Sequence, residues 1–293
     1  MKPASLLRAK IDSGAIVKGF LATMELTPQM VEITQSVGAD YLVADCEHHP
    51  WGAEVLADVC RAGRLAGLAI IIRVPAAEAV FVRQALDLGP AGIMLPCVDS
   101  VEQMDLVSDC MHVPPKGTRR PGGQSNLWLK NFTGEDWREE IERDFIVLPQ
   151  IENIKGVRNA DQIVRHPITT ALALGPYDLA LDLGIPFQWT RKSHLTATVS
   201  GLVQVADQAG KGTWCIGPTD LLREIGMRLL GLGEPTAMMQ LAMRRAVEHA
   251  EAAPATRPPA DSPAVESPYW SASTEARRGA EEGVLADSGE VRS

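Results

Sequence analysis

Eight short apolar runs recur along the first 250 residues, at 16–23, 41–46, 69–74, 92–98, 145–152, 170–175, 212–217 and 228–233, and helical patterns alternate with them. This alternation constrains the fold most. The runs are nearly continuous in Val, Ile, Leu and Ala, as strands are when both faces are covered; a strand with one wet face would show a polar residue at every second position. The stretches 27–37, 53–66, 78–88, 101–111, 155–165, 194–208, 219–225 and 237–250 carry apolar residues at helical spacing. Thr27 is a candidate N-cap with Pro28 in the first turn, and Gly38, Gly67 and Gly89 stand where helices should stop. Eight such β/α repeats predict a closed parallel (β/α)8 TIM barrel. An open doubly wound sheet is the alternative. Its glycine-rich phosphate turn after the first strand is missing, because Leu21-Ala22-Thr23-Met24-Glu25-Leu26 contains no glycine.

A chain of 293 residues holds one such barrel with some length left over. The composition shifts near residue 252, where Pro, Ala, Ser, Glu and Arg replace the periodic pattern. The expected division is a barrel domain over 1–251 and a disordered acidic tail over 252–293, in which Tyr269 and Trp270 are isolated aromatics. With 37 acidic against 28 basic residues the net charge is -9, which disfavours nucleic acid and anionic lipid as partners. No apolar run is long enough to span a membrane, and the N-terminus lacks the apolar segment of a secretory signal. The five scattered cysteines lack metal-knuckle spacing and read as free thiols, so a cytoplasmic protein is expected. The segment 112–144 is too long for a plain connection and is expected to cover an active site.

Catalytic groups of such barrels sit at the C-terminal ends of the strands. The second run ends in Asp45-Cys46-Glu47-His48-His49-Pro50, the third in Arg73-Val74-Pro75, the fifth in Gln150-Ile151-Glu152-Asn153 and the sixth in Gly175-Pro176-Tyr177-Asp178. Glu152 and Asp178 suit a hard divalent cation; the competing reading makes Asp178 a helix cap and Glu152 a solvated acid. His48 is the candidate base, since imidazole titrates near neutrality. Arg73 either stabilises a carboxylate or enolate oxygen or forms a rim salt bridge with Asp45 or Glu47. Asp87, near a helix C-terminus, needs a cationic partner, and protonated His48 is a candidate. Backbone amides around Gly175, Pro176, Tyr177 and Asp178 could hold a carboxylate. The sixth run carries no lysine, which disfavours a Schiff-base route.

Taken together, Asp45-Cys46-Glu47-His48, Arg73-Val74-Pro75, Leu86-Asp87-Leu88-Gly89, Met94-Leu95-Pro96, Pro114-Pro115-Lys116-Gly117-Thr118-Arg119, Gln150-Ile151-Glu152 and Gly175-Pro176-Tyr177-Asp178-Leu179 resemble the HpcH/HpaI family of metal-dependent (class II) pyruvate aldolases, over roughly residues 5–250. The resemblance implies the same barrel. It also implies Glu152 and Asp178 as metal ligands, His48 as base paired with Asp87, Arg73 as enolate stabiliser with Asp45 in the catalytic set, and Gln150 as support of the metal site. The segment from Gly175 to Asp178 would bind substrate. The implied cofactor is Mg²⁺ or Mn²⁺, with Co²⁺ as an alternative. The implied assembly is a homo-oligomer, trimer or hexamer, that exchanges its last helix. His49, Trp51, Tyr177 and Arg120 are bulkier than the family pattern and border the second-substrate side.

The expected function is cleavage or formation of 4-hydroxy-2-oxo acids, giving pyruvate and an aldehyde through an enolate. The 2-oxo acid and the aldehyde are then the small-molecule partners. One alternative is decarboxylation of oxaloacetate, with the enolate trapped as in macrophomate synthase-like relatives. Another, of a different class, is a non-catalytic barrel that binds a 2-oxo acid. A CoA-ester lyase is disfavoured, because no basic groove for the CoA phosphates is evident.

Overall fold

The computed structural model describes residues 2–120, 122–128 and 142–252. Eight strands, β1 (Val17–Ala22), β2 (Tyr41–Asp45), β3 (Ala69–Arg73), β4 (Gly92–Leu95), β5 (Ile146–Ile151), β6 (Ala171–Leu174), β7 (Gly212–Ile216) and β8 (Leu229–Gly231), close into a barrel in chain order. Every neighbouring pair is parallel, and β8 closes onto β1 with Leu229 opposite Val17. Each strand falls within one of the eight predicted runs. The helices are α1 (Lys2–Asp12), α2 (Pro28–Ser36), α3 (Ala53–Ala66), α4 (Ala79–Asp87), α5 (Val101–Met111), α6 (Ile154–Arg165), α7 (Pro176–Asp182), α8 (His194–Gln208), α9 (Thr219–Glu224) and α10 (Pro235–Ala252). No described helix is long and apolar enough to cross a membrane.

Local chemistry sets the helix ends. Thr27 is extended and accepts a hydrogen bond from Met30 N at 3.2 Å, and Asn153 does the same for Gly156 N at 2.7 Å, each meeting a first-turn donor. Gly67 ends α3 at φ +77°, a left-handed conformation that glycine adopts without a Cβ clash.

The strands bury both faces, which explains their continuous apolar sequences. Leu42, Ala44, Ile70, Ile72, Leu172 and Leu174 pack outward under the helices. Tyr41, Val43, Ala69, Ile71, Ile146 and Leu148 fill the barrel interior. Two helices lie outside the sequence expectation. The first is α1, whose Ala4, Leu7 and Ile11 join the interior cluster beside the first residues of the strands and so plug the N-terminal mouth. Its apolar residues do recur at helical spacing, but too few of them separate the segment from a polar leader. The second is α7, a two-turn helix opened by Pro176.

Residues 1–244 form one compact unit, and residues 245–252 complete α10. The expected tail, with Tyr269 and Trp270, lies outside the described residues. So do Pro121 and residues 129–141 of the expected cover. Of that cover, the described part includes a 3₁₀ turn over Gly123–Trp128 and a bond from Val113 N to Glu142 Oε1 at 2.9 Å.

One polar network crosses the interior. The Tyr41 hydroxyl donates to Leu230 O at 2.8 Å and accepts from Trp214 Nε1 at 2.7 Å, with Tyr41 and Trp214 both fully buried. Tyr41→Phe keeps the ring and deprives both partners. The expected loss of stability is about 1–3 kcal/mol, the usual cost of stranding buried polar groups. It should be read as a lower urea midpoint at unchanged slope. A midpoint equal to that of the unaltered protein would remove this network from the barrel's support.

Candidate active site

The alternation that fills the interior with Val43, Ile71, Ile146 and Leu148 carries on to the C-terminal mouth, where the next inward positions are polar. They are Asp45 on β2, Arg73 on β3, and Gln150 and Glu152 at the end of β5. All four are buried. Four polar groups desolvated at one end of an otherwise apolar interior require partners there.

Asp45 and Arg73 supply each other. They stand opposite in the β2–β3 register, and the guanidinium grips the carboxylate with two bonds, Nε to Oδ1 at 2.8 Å and Nη2 to Oδ2 at 2.6 Å. This is the bidentate geometry that only arginine offers. Burial alone would raise the Asp45 carboxyl, but the hydrogen bonds and charge of Arg73 outweigh it and hold the group below the usual carboxylate range. Asp45 Oδ1 also accepts the N–H groups of Glu47 (3.0 Å) and His48 (3.4 Å), which fixes the turn that follows β2. Arg73 Nη1 reaches Glu47 Oε2 at 3.2 Å. The rim salt bridge is therefore present, and it occupies the fork side of Arg73, leaving Nη1 on the side of Glu47.

Glu152 is held from another direction. Cys97 adopts φ +50°, unusual for a residue with a side chain, and so aims both its N–H and its thiol at Glu152 Oε2, each at 3.1 Å. Gly175 faces the same carboxylate. A Cβ there would overlap Glu152 Oε1, so only glycine lets this chain pass so close. Burial pushes the Glu152 carboxyl up, and the Asp178 charge adds to that. Burial also pushes Glu47 to about 7, against the pull of Arg73, with Glu152 adding to the rise. The Cys97 thiol is pushed up to about 12 by burial and by Glu152.

These groups fit a cation. Glu47, Cys97 and Glu152 each bring a donor atom within 4.8 Å of the other two. Gln150 Oε1 is a buried acceptor without a hydrogen-bond donor among the described residues, and Glu47 Oε2 is held by its ion pair with Arg73 rather than by a hydrogen bond. A positive ion would relieve both the crowded carboxylates and the stranded Gln150 oxygen. Glu47 and Cys97 are the members of this set that sequence reasoning left out. Glu47 lies within a quoted motif and only its parity could have marked it, whereas Cys97 carries no local signal.

The remaining candidates are distributed differently. Asp178 is exposed in the first turn of α7, where a negative charge suits the helix dipole, and Gly175 rather than Asp178 is the N-cap. The Gly175 N–H is already given to Ile151 O at 3.0 Å, so it is not a free carboxylate donor. Tyr177 and Asp178 carry the first-turn N–H groups that have no intrahelical acceptor. His48 is half exposed, and its acidic neighbour is Glu47 at 3.8 Å. The expected His48–Asp87 ion pair is not formed within the chain. Asp87 ends α4 against Gly122 and Gly123, and its charge acts on buried Arg119. Tyr177 meets Phe187 edge-on at 5.4 Å, and His49 stacks on Trp51 at 3.7 Å. An apolar cavity of about 630 Å³ is lined by Trp51, Phe81 and Leu88. It also touches the outward residues Cys46 and Ile72, so it lies behind the barrel wall rather than in the mouth.

A closed (β/α)8 barrel with a polar cluster at its C-terminal mouth is the arrangement of a barrel enzyme, and the family match and the aldolase-named relatives make the class a carbon–carbon lyase. The chain belongs to the HpcH/HpaI aldolase/citrate lyase family, whose model matches residues 20–214. It is 31% identical over 153 residues to a hydroxypyruvate/pyruvate aldolase of Agrobacterium fabrum, covering 52% of this chain and 58% of the relative. A hydroxypyruvate/pyruvate aldolase of Delftia acidovorans is 25% identical over 266 residues, covering 87% of this chain and 98% of the relative. Among solved structures, an HpcH/HpaI aldolase from Desulfitobacterium hafniense superposes with a TM-score of 0.76 at 26% identity, over 86% of this chain and 99% of that one.

The side chains of Arg73 and Asp45 are 6% and 0% exposed, so removing one partner strands a buried charge and costs more than the ~1 kcal/mol of a surface bridge. Asp45→Asn should cost about 3 kcal/mol at neutral pH, the low end for breaking a buried pair, because Glu47 stays beside Arg73. The Asp45 carboxyl is depressed on folding, so its contribution is complete above the ordinary carboxylate pKa and fades as pH falls through the folded value. The gap between the variant and the unaltered protein should therefore close in acid. Urea melts across pH test this, and a gap independent of pH would refute it.

Proposed function

We propose that this barrel cleaves or forms 4-hydroxy-2-oxo acids, giving pyruvate and an aldehyde through a pyruvate enolate. The observation that carries the reading is the set Asp45, Arg73, Gln150 and Glu152 on inward positions at one mouth, beside donors suited to a cation. Membership in the HpcH/HpaI family and the aldolase names of the relatives support it. A divalent cation, Mg²⁺ or Mn²⁺ with Co²⁺ as the alternative, held by Glu152 and Asp178, would supply the Lewis acidity that polarises the substrate ketone.

The chain's own groups do the rest. The first-turn amides of Tyr177 and Asp178 hold the substrate carboxylate, and Pro176 sets their direction. Gln150 offers its buried side chain to the same end of the substrate. Arg73, anchored by Asp45 through Nε and Nη2, meets the ketone oxygen with Nη1, which in the free site contacts Glu47. His48 accepts the proton of the 4-hydroxyl. The C3–C4 bond breaks, its electron pair passes into the enolate, and the aldehyde leaves. Arg73 shares the enolate charge, and protonation at C3 gives pyruvate. Asp87 belongs to the same set as the expected partner of His48, a pair that is not formed within one chain.

The same reading includes a homo-oligomer, trimer or hexamer, supported by the exposed Met238, Met239, Leu241 and Met243 of α10. Side chains of this kind grouped on a surface favour a covering partner.

Exchange of the pyruvate methyl protons in D₂O tests the reading without knowing the aldehyde. The expected exchange requires divalent cation, stops on chelation, and is lost in His48→Ala. A folded, cation-loaded protein that leaves the methyl group unexchanged would refute enolate formation. Once a turnover assay is in hand, Arg73→Ala should lower kcat by about 10²–10³-fold, the usual cost of losing an oxyanion stabiliser. An effect confined to KM would place Arg73 in binding alone.

A further inference from the structure

We infer that Cys97 is a metal donor, and that its sulfur makes this rim a mixed sulfur–oxygen site that prefers Co²⁺ or Zn²⁺ to Mg²⁺. The inference rests on the metal reading above, adds Cys97 to its carboxylate donors, and adds Zn²⁺ to the cations it weighs.

Cys97 follows β4 directly after Pro96, and its Sγ lies 3.1 Å from Glu152 Oε2, the oxygen that its own N–H also meets. Glu47 completes a set of three donors within 4.8 Å of one another. Bonds of about 2.3 Å to sulfur and about 2.0–2.2 Å to oxygen put tetrahedral donors roughly 3.5 Å apart, so small side-chain rotations suffice. A further oxygen points to a cation independently of the cysteine. Gln150 Oε1, on a side chain only 3% exposed, has no hydrogen-bond donor among the described residues. Gln150 precedes Glu152 by two positions on β5 and its side chain shares the inward parity.

Thiolate is a soft ligand. It favours Zn²⁺ and Co²⁺, whereas Mg²⁺ holds to oxygen donors and keeps its waters. On binding, the thiol proton leaves to solvent and the metal–sulfur bond takes the place of the S–H bond to Glu152. Among the five cysteines Cys97 is the exposed one; Cys46 is half-buried, and Cys60, Cys110 and Cys215 are buried. Reagents therefore reach Cys97 first.

The test uses the full chain loaded with Co²⁺. The unaltered protein should show a near-ultraviolet sulfur-to-cobalt charge-transfer band, absent in Cys97→Ser although Co²⁺ still binds by calorimetry. Co²⁺ affinity should fall about 10-fold or more in Cys97→Ser, on the scale of losing a metal-site partner, while Mg²⁺ affinity stays within about 3-fold. Bound Co²⁺ without the band, or a band that persists in Cys97→Ser, overturns the role of Cys97 and leaves the metal reading intact. Failure of any divalent cation to bind overturns both. Should the variant not fold, alkylation of Cys97 in the unaltered protein, mapped by mass spectrometry, decides. Saturating Zn²⁺ is expected to block it, and an unchanged rate refutes the inference.

Discussion

Arg73 and Asp45 meet across adjacent strands in a pair that excludes water, and the rest of the rim is arranged around that contact. Two charges taken out of water are tolerable only with near-ideal geometry and with their remaining bonding capacity used. Both conditions hold. The fork is bidentate, and the spare lone pairs of Asp45 go to the Glu47 and His48 amides. The turn that carries the candidate base is thus tied to the arginine that would stabilise charge. Disturbing the pair disturbs the position of His48 as well.

A barrel makes this economical through parity. Side chains alternate across a strand, so the positions that pack the interior lower down become the functional positions at the mouth. Tyr41, Val43 and Asp45 form one such series, and Ile146, Leu148, Gln150 and Glu152 another. At the opposite end α1 closes the interior with Ala4, Leu7 and Ile11. The desolvated polar groups lie at the other end, the C-terminal mouth, where burial pushes Glu47 and Glu152 toward protonation while Arg73 holds Asp45 ionised.

The neighbourhood of Glu152 departs from the simplest picture of two carboxylates on consecutive strand ends. The carboxylate is reached by the backbone and thiol of Cys97 from β4, while Gly175 makes room for it on the β6 side. Asp178 acts on it by charge from an exposed position in α7. Donors from different strand ends therefore surround one oxygen pair. Their chemical softness differs, so a cation bound there would be selected by which of them it meets.

The sequence by itself determined the order and kind of the strands, the closed parallel barrel, and the placing of Asp45, Arg73, Gln150 and Glu152 at strand ends, because apolar periodicity and helix-stop residues are local signals. It also marked His48 and Asp178 by type and position. Only the tertiary structure decided which of these meet. The Asp45–Arg73 fork joins residues 28 apart, and the Cys97–Glu152 contact joins residues 55 apart. Both depend on strand register and barrel closure, which no local pattern encodes. The same holds for α1, whose short apolar stripe has meaning only against the open end of a barrel. Asp87 shows the reverse: a motif position suggested a partner in His48, and the fold sets Asp87 at the end of α4 against Gly122 and Gly123, with no ion pair to His48 among the described residues.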